Sequence, residues 1–147
     1  MTIALSNALA TTQTALLASQ LTGGFIRLFA GTRPTTPDQA EVGTLLGIVT
    51  NDGVAGSGLH FTSAGAILQK STEPWVFYGV ATGTAAWFRI VQPGDTGAAD
   101  MSALRIDGDI GTVAGVPGDM NWTDTGVLTG VPYTLDQFFY LIQPVGH

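Results

Sequence analysis

Hydrophobic positions at the start of the chain recur at helical spacing, and after residue 24 they switch to the two-residue period of strands. Leu5, Leu9 and Leu16 fall on one side of a helix with Leu17 and Leu21 beside them, which predicts a single broad apolar stripe. Ser6 is a candidate N-cap and Gly23-Gly24 a strong stop. Thr11, Thr12 and Thr14 weaken the middle, because branching at Cβ restricts χ1. A helix of this propensity needs a packing partner.

Strand texture follows. Residues 25–29 read as a short strand that ends at Ala30-Gly31, and residues 33–38 as an extended loop governed by Pro34 and Pro37. Residues 42–50 form the next strand, closed by the turn signal Asn51-Asp52-Gly53. Weaker strands are expected at 59–61 and 66–68, then a stronger one at 76–80. Residues 84–91 alternate, with Ala86, Phe88 and Ile90 on one side and Trp87, Arg89 and Val91 on the other. Pro93-Gly94-Asp95 breaks the chain, and strands at 103–110, 120–122 and 131–142 complete the set. Asp107-Gly108 reads as a turn on local grounds, with a polar step inside a longer strand as the other reading. Many short strands and one helix predict a mainly β fold, an antiparallel β-sandwich of jelly-roll type with one N-terminal α-helix. Residues 1–24 form the helix, read as an assembly arm, and 25–147 the sandwich; no linker divides them into separate domains.

Charge narrows the function. Five Lys or Arg against eleven Asp or Glu give a net charge of −6. Charged residues make up only 11% of the chain, where globular proteins carry about 25%. With 45% hydrophobic residues the chain is no candidate for disorder. Arg27, Arg33, Lys70, Arg89 and Arg105 are too few and too scattered to track phosphates, which excludes nucleic acid as a partner. Residues 1–26 carry no charge at all, but Thr11, Thr12, Gln13, Thr14, Ser19 and Gln20 interrupt the run and nothing basic precedes it. That pattern fits neither a signal peptide nor a membrane span. It describes a helix with an uncharged polar face, whose far side a second subunit is expected to cover.

Chemistry-bearing patterns are sparse. Without cysteine there is no thiolate metal site, disulfide or thiol nucleophile. No glycine-rich phosphate loop and no nucleophile elbow occurs. His60 is the one histidine away from the carboxyl end, and Glu41 and Glu73 are the only glutamates. No catalytic residue and no cofactor is therefore assigned, and the chain is read as a non-enzyme. Asp107 and Asp109, with Asp100 and Asp119 in reach along the chain, could offer oxygens to calcium. Solvated turn carboxylates are the favoured reading, so no metal site is assigned. Trp75, Trp122 and Tyr78 leave open a carbohydrate-binding role through ring stacking, whereas Trp87 is expected to be packed.

Five stretches carry a likeness. The first is the early helix ending in Gly23-Gly24. Phe25-Ile26-Arg27-Leu28-Phe29 follows, running into Gly31-Thr32-Arg33-Pro34. Next come Gly43-Thr44-Leu45-Leu46-Gly47 and Ala81-Thr82-Gly83-Thr84-Ala85-Ala86-Trp87-Phe88-Arg89-Ile90. The last is Arg105-Ile106-Asp107-Gly108-Asp109-Ile110-Gly111-Thr112, followed by Gly118-Asp119-Met120-Asn121. Together they resemble a family of small virion proteins of tailed bacteriophages and prophages. The resemblance implies a structural particle component, with a capsid decoration (cement) protein on the exterior of the head as the leading expectation. Such a protein is assembled in the host cytoplasm. Its partners would be the major capsid protein and copies of itself, as a homo-oligomer. A neck- or tail-associated protein, or an adsorption module that binds glycans, is the alternative.

A chain built into a large symmetric assembly can replace charged surface with apolar and small polar surface, since obligate interfaces bury about 2,000–5,000 Å². The stretch Phe138-Phe139-Tyr140-Leu141-Ile142 is apolar on both strand faces, so both faces want cover. It is either a central strand of its own domain or a strand between subunits. The residues expected at the protein interface are Leu5, Leu9, Leu16 and Leu17 of the helix and Phe138, Phe139 and Tyr140 near the end.

Overall fold

Alternating burial along residues 25–30 sets the architecture: Ile26 and Leu28 turn inward, and Arg27 points the other way. The computed structural model describes residues 4–115 and 118–135 together with the backbone of 139–141. Its one helix, α1, spans Asn7–Leu21. The strands are β1 (Phe25–Ala30), β2 (Thr44–Asn51), β3 (Phe61–Ala64), β4 (Ile67–Lys70), β5 (Trp75–Tyr78), β6 (Gly83–Thr84), β7 (Trp87–Val91), β8 (Ile106–Thr112), β9 (Met120–Trp122), β10 (Gly126–Val127), β11 (Pro132–Leu135) and β12 (Phe139–Leu141).

Seven strands form a curled sheet in the order β11-β5-β2-β1-β7-β8-β9, three form β12-β4-β3, and β10 pairs with β6. The fold is mainly β and sandwich-like, with the N-terminal helix added. Every strand pair is antiparallel except β8 with β9, which makes the large sheet mixed. One apolar cluster joins the layers. The large sheet contributes Ile26, Leu28, Val49, Trp75, Phe77, Phe88 and Ile90, while Leu21, Phe61 and Leu68 come from α1, β3 and β4.

The helix ends as its residues dictate, but its buried face differs from the leucine stripe. Ser6 Oγ accepts the backbone N–H of Leu9 at 3.1 Å, and Gly23 turns the chain at φ +93°. Gly24 is required for another reason: a Cβ there would lie 2.1 Å from the carbonyl oxygen of Val91. The helix packs on β3 and β4 through Ala10, Thr14, Ala18 and Leu21, all buried. Small side chains let the helix lie close to those strands. Thr14 tolerates burial because its hydroxyl donates to the Ala10 carbonyl at 2.8 Å. Leu5 and Leu17 are half-buried, while Leu9 and Leu16 are 47% and 60% exposed. The helix is thus docked on the domain, and its leucines are divided between groove and surface.

Three further expectations change. Asp107-Gly108 lies inside β8 instead of forming a turn; Gly108 faces Phe88, and a Cβ there would meet the ring at 2.5 Å. The 84–91 segment divides into β6 and β7, because the N–H groups of Ala85 and Ala86 bond to Thr125 and Phe29 carbonyls in different directions. The 131–142 segment divides into β11 and β12, which belong to different sheets. At Asn51-Asp52-Gly53 the turn does form, with φ 54° at Asp52 and 71° at Gly53.

Loops, not a further sheet, cover the outer face of β1 and β7. Trp87 stacks on Phe29 there, with ring centroids 4.3 Å apart and an interplanar angle of 14°. Arg27 and Arg89 are cross-strand neighbours, an arrangement of like charges that is unfavourable unless each is neutralised. Arg89 is fully buried and makes a bidentate pair with Asp107 at 2.7 and 2.9 Å, plus a bond to the Gln39 carbonyl at 2.8 Å. Arg27 bonds Glu41 at 2.7 Å and the Asp95 carbonyl. Arg105 grips the Asp95 carboxylate at 2.7 Å through two nitrogens and bonds the Pro37 carbonyl at 3.0 Å. Three arginines thereby fasten the 31–43 and 92–105 loops over the sheet.

Candidate functional site

Cations on this chain are engaged internally. Besides the three arginines of the loop layer, Arg33 bonds Asp109 at 3.0 and 3.3 Å. The Lys70 ammonium donates to the Ser71 and Glu73 carbonyls and lies 5.5 Å from the Trp75 ring centroid. Hydrogen bonding to Arg105 holds the Asp95 carboxyl below its ordinary range against the opposing effect of burial, and the same pair raises Arg105.

The aspartates weighed for calcium are bonded to protein. Asp107 faces Arg89, Asp109 faces Arg33, and Asp119 Oδ2 accepts the backbone N–H of Asp109 at 2.9 Å. Among the described residues no three His, Cys, Asp or Glu side chains converge as a metal site would require. No helix among them is long and apolar enough to cross a membrane.

His60 belongs to a clasp. Glu73 accepts from the His60 backbone N–H at 2.6 Å, the Trp75 indole at 3.0 Å and the Asn51 amide at 2.8 Å, and it lies 2.7 Å from His60 Nδ1. Burial pushes the Glu73 carboxyl up, but the contacts from His60 and Trp75 outweigh it and the net shift is downward. The cluster ties the ends of β2 and β5 to the chain entering β3. His60 itself is exposed, and its bonded partner Glu73 is committed to holding these segments together.

The residues expected at an interface do not form one patch. Leu16 and Leu17, with Gln13, Gln20 and Leu21, line one wall of an apolar groove of about 340 Å³; Leu104 and Ile106 supply the facing wall. Leu104 is exposed, as is Met101 on the same loop. Leu5 stands apart before the helix. Phe138 lies outside the described residues. Phe139 and Tyr140 are in β12, paired with Gln69 and Leu68 of β4. Among the described residues no strand pairs with the other edge of β12, which makes it the outer strand of its sheet.

The aromatic residues are regrouped. Trp75 is a fully buried core residue and Trp87 is packed, so neither offers a ring to a ligand. Tyr78 is exposed. Trp122 belongs instead to a three-ring array: Phe77 stacks against Trp122 at 5.8 Å and against Tyr133 at 5.0 Å. The Tyr133 hydroxyl accepts the Leu128 backbone N–H at 2.9 Å, which fixes the ring. The array forms part of the wall of an open cleft of about 1000 Å³ between the β6–β10 pair and strands β5, β9 and β11. Phe77 and Tyr133 carry no sequence signal for this role, because the three rings come from three different strands and Phe77 lies far from the other two along the chain.

The chain matches no family model, no curated protein and no solved structure.

Proposed function

We propose that this chain is a structural virion protein, a capsid decoration protein that stabilises a phage head by bridging neighbouring shell subunits. The observation that carries the reading is the outer side of α1. It has no charged residue, it leaves Leu9 and Leu16 in solvent, and Leu16 adjoins a groove whose other wall includes the exposed Leu104. A lone soluble domain gains nothing from such a face, whereas a subunit interface is enriched in apolar area at its centre. The partners in this reading are the major capsid protein and further copies of this chain. The outer strand β12, with Phe139 and Tyr140, is a second contact candidate.

The test is a Leu9→Ser/Leu16→Ser double variant. Both side chains are largely exposed, so stability should change by less than about 1 kcal/mol, while incorporation into particles drops sharply. Normal incorporation of the folded variant would remove the helix from the interface.

A neck- or tail-associated adsorption protein is the second reading. The cleft beside Trp122 and Tyr133 favours it, because an adsorption module needs a place for a host-surface ligand.

A further inference from the structure

We infer that the cleft between the β6–β10 pair and strands β5, β9 and β11 is a binding site for an uncharged saccharide. Its size is that of a ligand site, where pockets run to about 1,000 Å³ and combine apolar walls with a few placed polar groups. Trp122 and Tyr133 flank Phe77 in the stacked array, so the inner faces of both rings are held against a buried neighbour. Both are only half-buried and both line the cleft, which leaves apolar ring surface there for the C–H face of a sugar.

The polar groups of the cleft match hydroxyl chemistry. Thr84, Thr123 and Thr134 are exposed, line the cleft, and make no side-chain hydrogen bond within the described residues. Asp124 uses Oδ1 to accept the Gly126 N–H at 2.8 Å, leaving Oδ2 to accept from a ligand hydroxyl. Asn121, by contrast, is closed on itself through two bonds to the Gly118 backbone. Among the described residues no Lys or Arg lines the cleft, and the one charge lining it is the Asp124 carboxylate. An anionic ligand would therefore meet repulsion with no compensating partner, whereas a neutral sugar offers donors to the carboxylate and both donors and acceptors to the threonines. The proposal does not depend on where in a particle the chain sits: a decoration protein and a tail protein could each use the cleft.

The experiment is a titration of the full-length chain followed by ¹H–¹⁵N NMR. The probes are neutral hexosides and N-acetylglucosamine with their trisaccharides, and sialyllactose and a sulfated disaccharide are the anionic comparators. A neutral sugar is expected to shift the Trp122 indole and the amides of Thr84 and Thr123 with a Kd on the order of 1 mM. Thr84→Val and Thr123→Val should each weaken that binding about threefold to tenfold, the equivalent of one hydrogen bond. Thr62→Val, in the other sheet, should leave it unchanged. Trp122→Ala should abolish binding, and the two threonine variants carry the test if that substitution disturbs folding. The inference is overturned if no neutral saccharide shifts these signals up to about 10 mM. It is also overturned if the shifts fall elsewhere, or if the anionic probes bind more tightly than the neutral ones.

Discussion

Replacing Asp107 by alanine tests whether the loop layer over β1 and β7 rests on a buried ion pair. Arg89 and Asp107 have side-chain exposures of 0% and 1%, and the guanidinium meets both carboxylate oxygens within 2.9 Å. Without Asp107 the Arg89 charge keeps the Gln39 carbonyl and the Trp87 ring, whose centroid lies 5.5 Å away, and stays walled off from water. Leaving one member of a buried pair uncompensated costs about 3–5 kcal/mol. Arg27 aggravates the loss, because it is the cross-strand neighbour of Arg89 and Asp107 no longer offsets that repulsion. For a domain of this size each kcal/mol lowers Tm by roughly 2–4 °C, so Asp107→Ala should lower it by roughly 6–20 °C. Removing both charges in Arg89→Met/Asp107→Leu should recover most of the loss, since an apolar pair of similar volume often replaces a buried ion pair without penalty. Differential scanning calorimetry at neutral pH measures both. A Tm loss of less than about 2 °C in Asp107→Ala, or a double variant no better than the single, would refute the reasoning.

Other perturbations reach other parts of the fold. Gly24→Ala places a Cβ against the Val91 carbonyl and should cost about 1–3 kcal/mol or more in chemical denaturation. Gly65→Ala meets no atom within 4 Å, so strain at its φ of +60° is the only cost and it should do less harm. Acid should also destabilise the chain. Asp95 and Glu73 are held below their ordinary ranges when folded, so their contribution is complete above those ranges and is lost as pH falls below about 4. Asp95→Asn should flatten the acid limb of a Tm-against-pH curve, and an unchanged limb would show that the Arg105 pair contributes nothing to it.

Fold class and the positions of most strands were legible in the sequence, because the apolar run at residues 25–29, the alternation within residues 87–91 and the turn residues at 51–53 are local signals. Those that misled did so for tertiary reasons. Asp107-Gly108 carries turn chemistry, yet Gly108 sits in a strand because Phe88 fills the space where a side chain would be. Counting leucines did not locate the face that packs on the domain, since β3 and β4 accept the close approach of Ala10, Thr14 and Ala18 and leave Leu9 and Leu16 outside. The scattered arginines gave no hint of the loop layer, whose partners lie up to 68 residues away, as Arg105 does from Pro37. Of the candidate sites, Trp122 was visible but its companions Phe77 and Tyr133 were not. Proximity of five strands creates the cleft, and no spacing along the chain records it.

Stoichiometry in the finished particle bears most directly on the claim that this chain is a head decoration protein. Quantitative mass spectrometry of purified virions should return a copy number equal to that of the major capsid protein or a simple fraction of it. A handful of copies per particle, or a virion that lacks the chain altogether, would contradict the account.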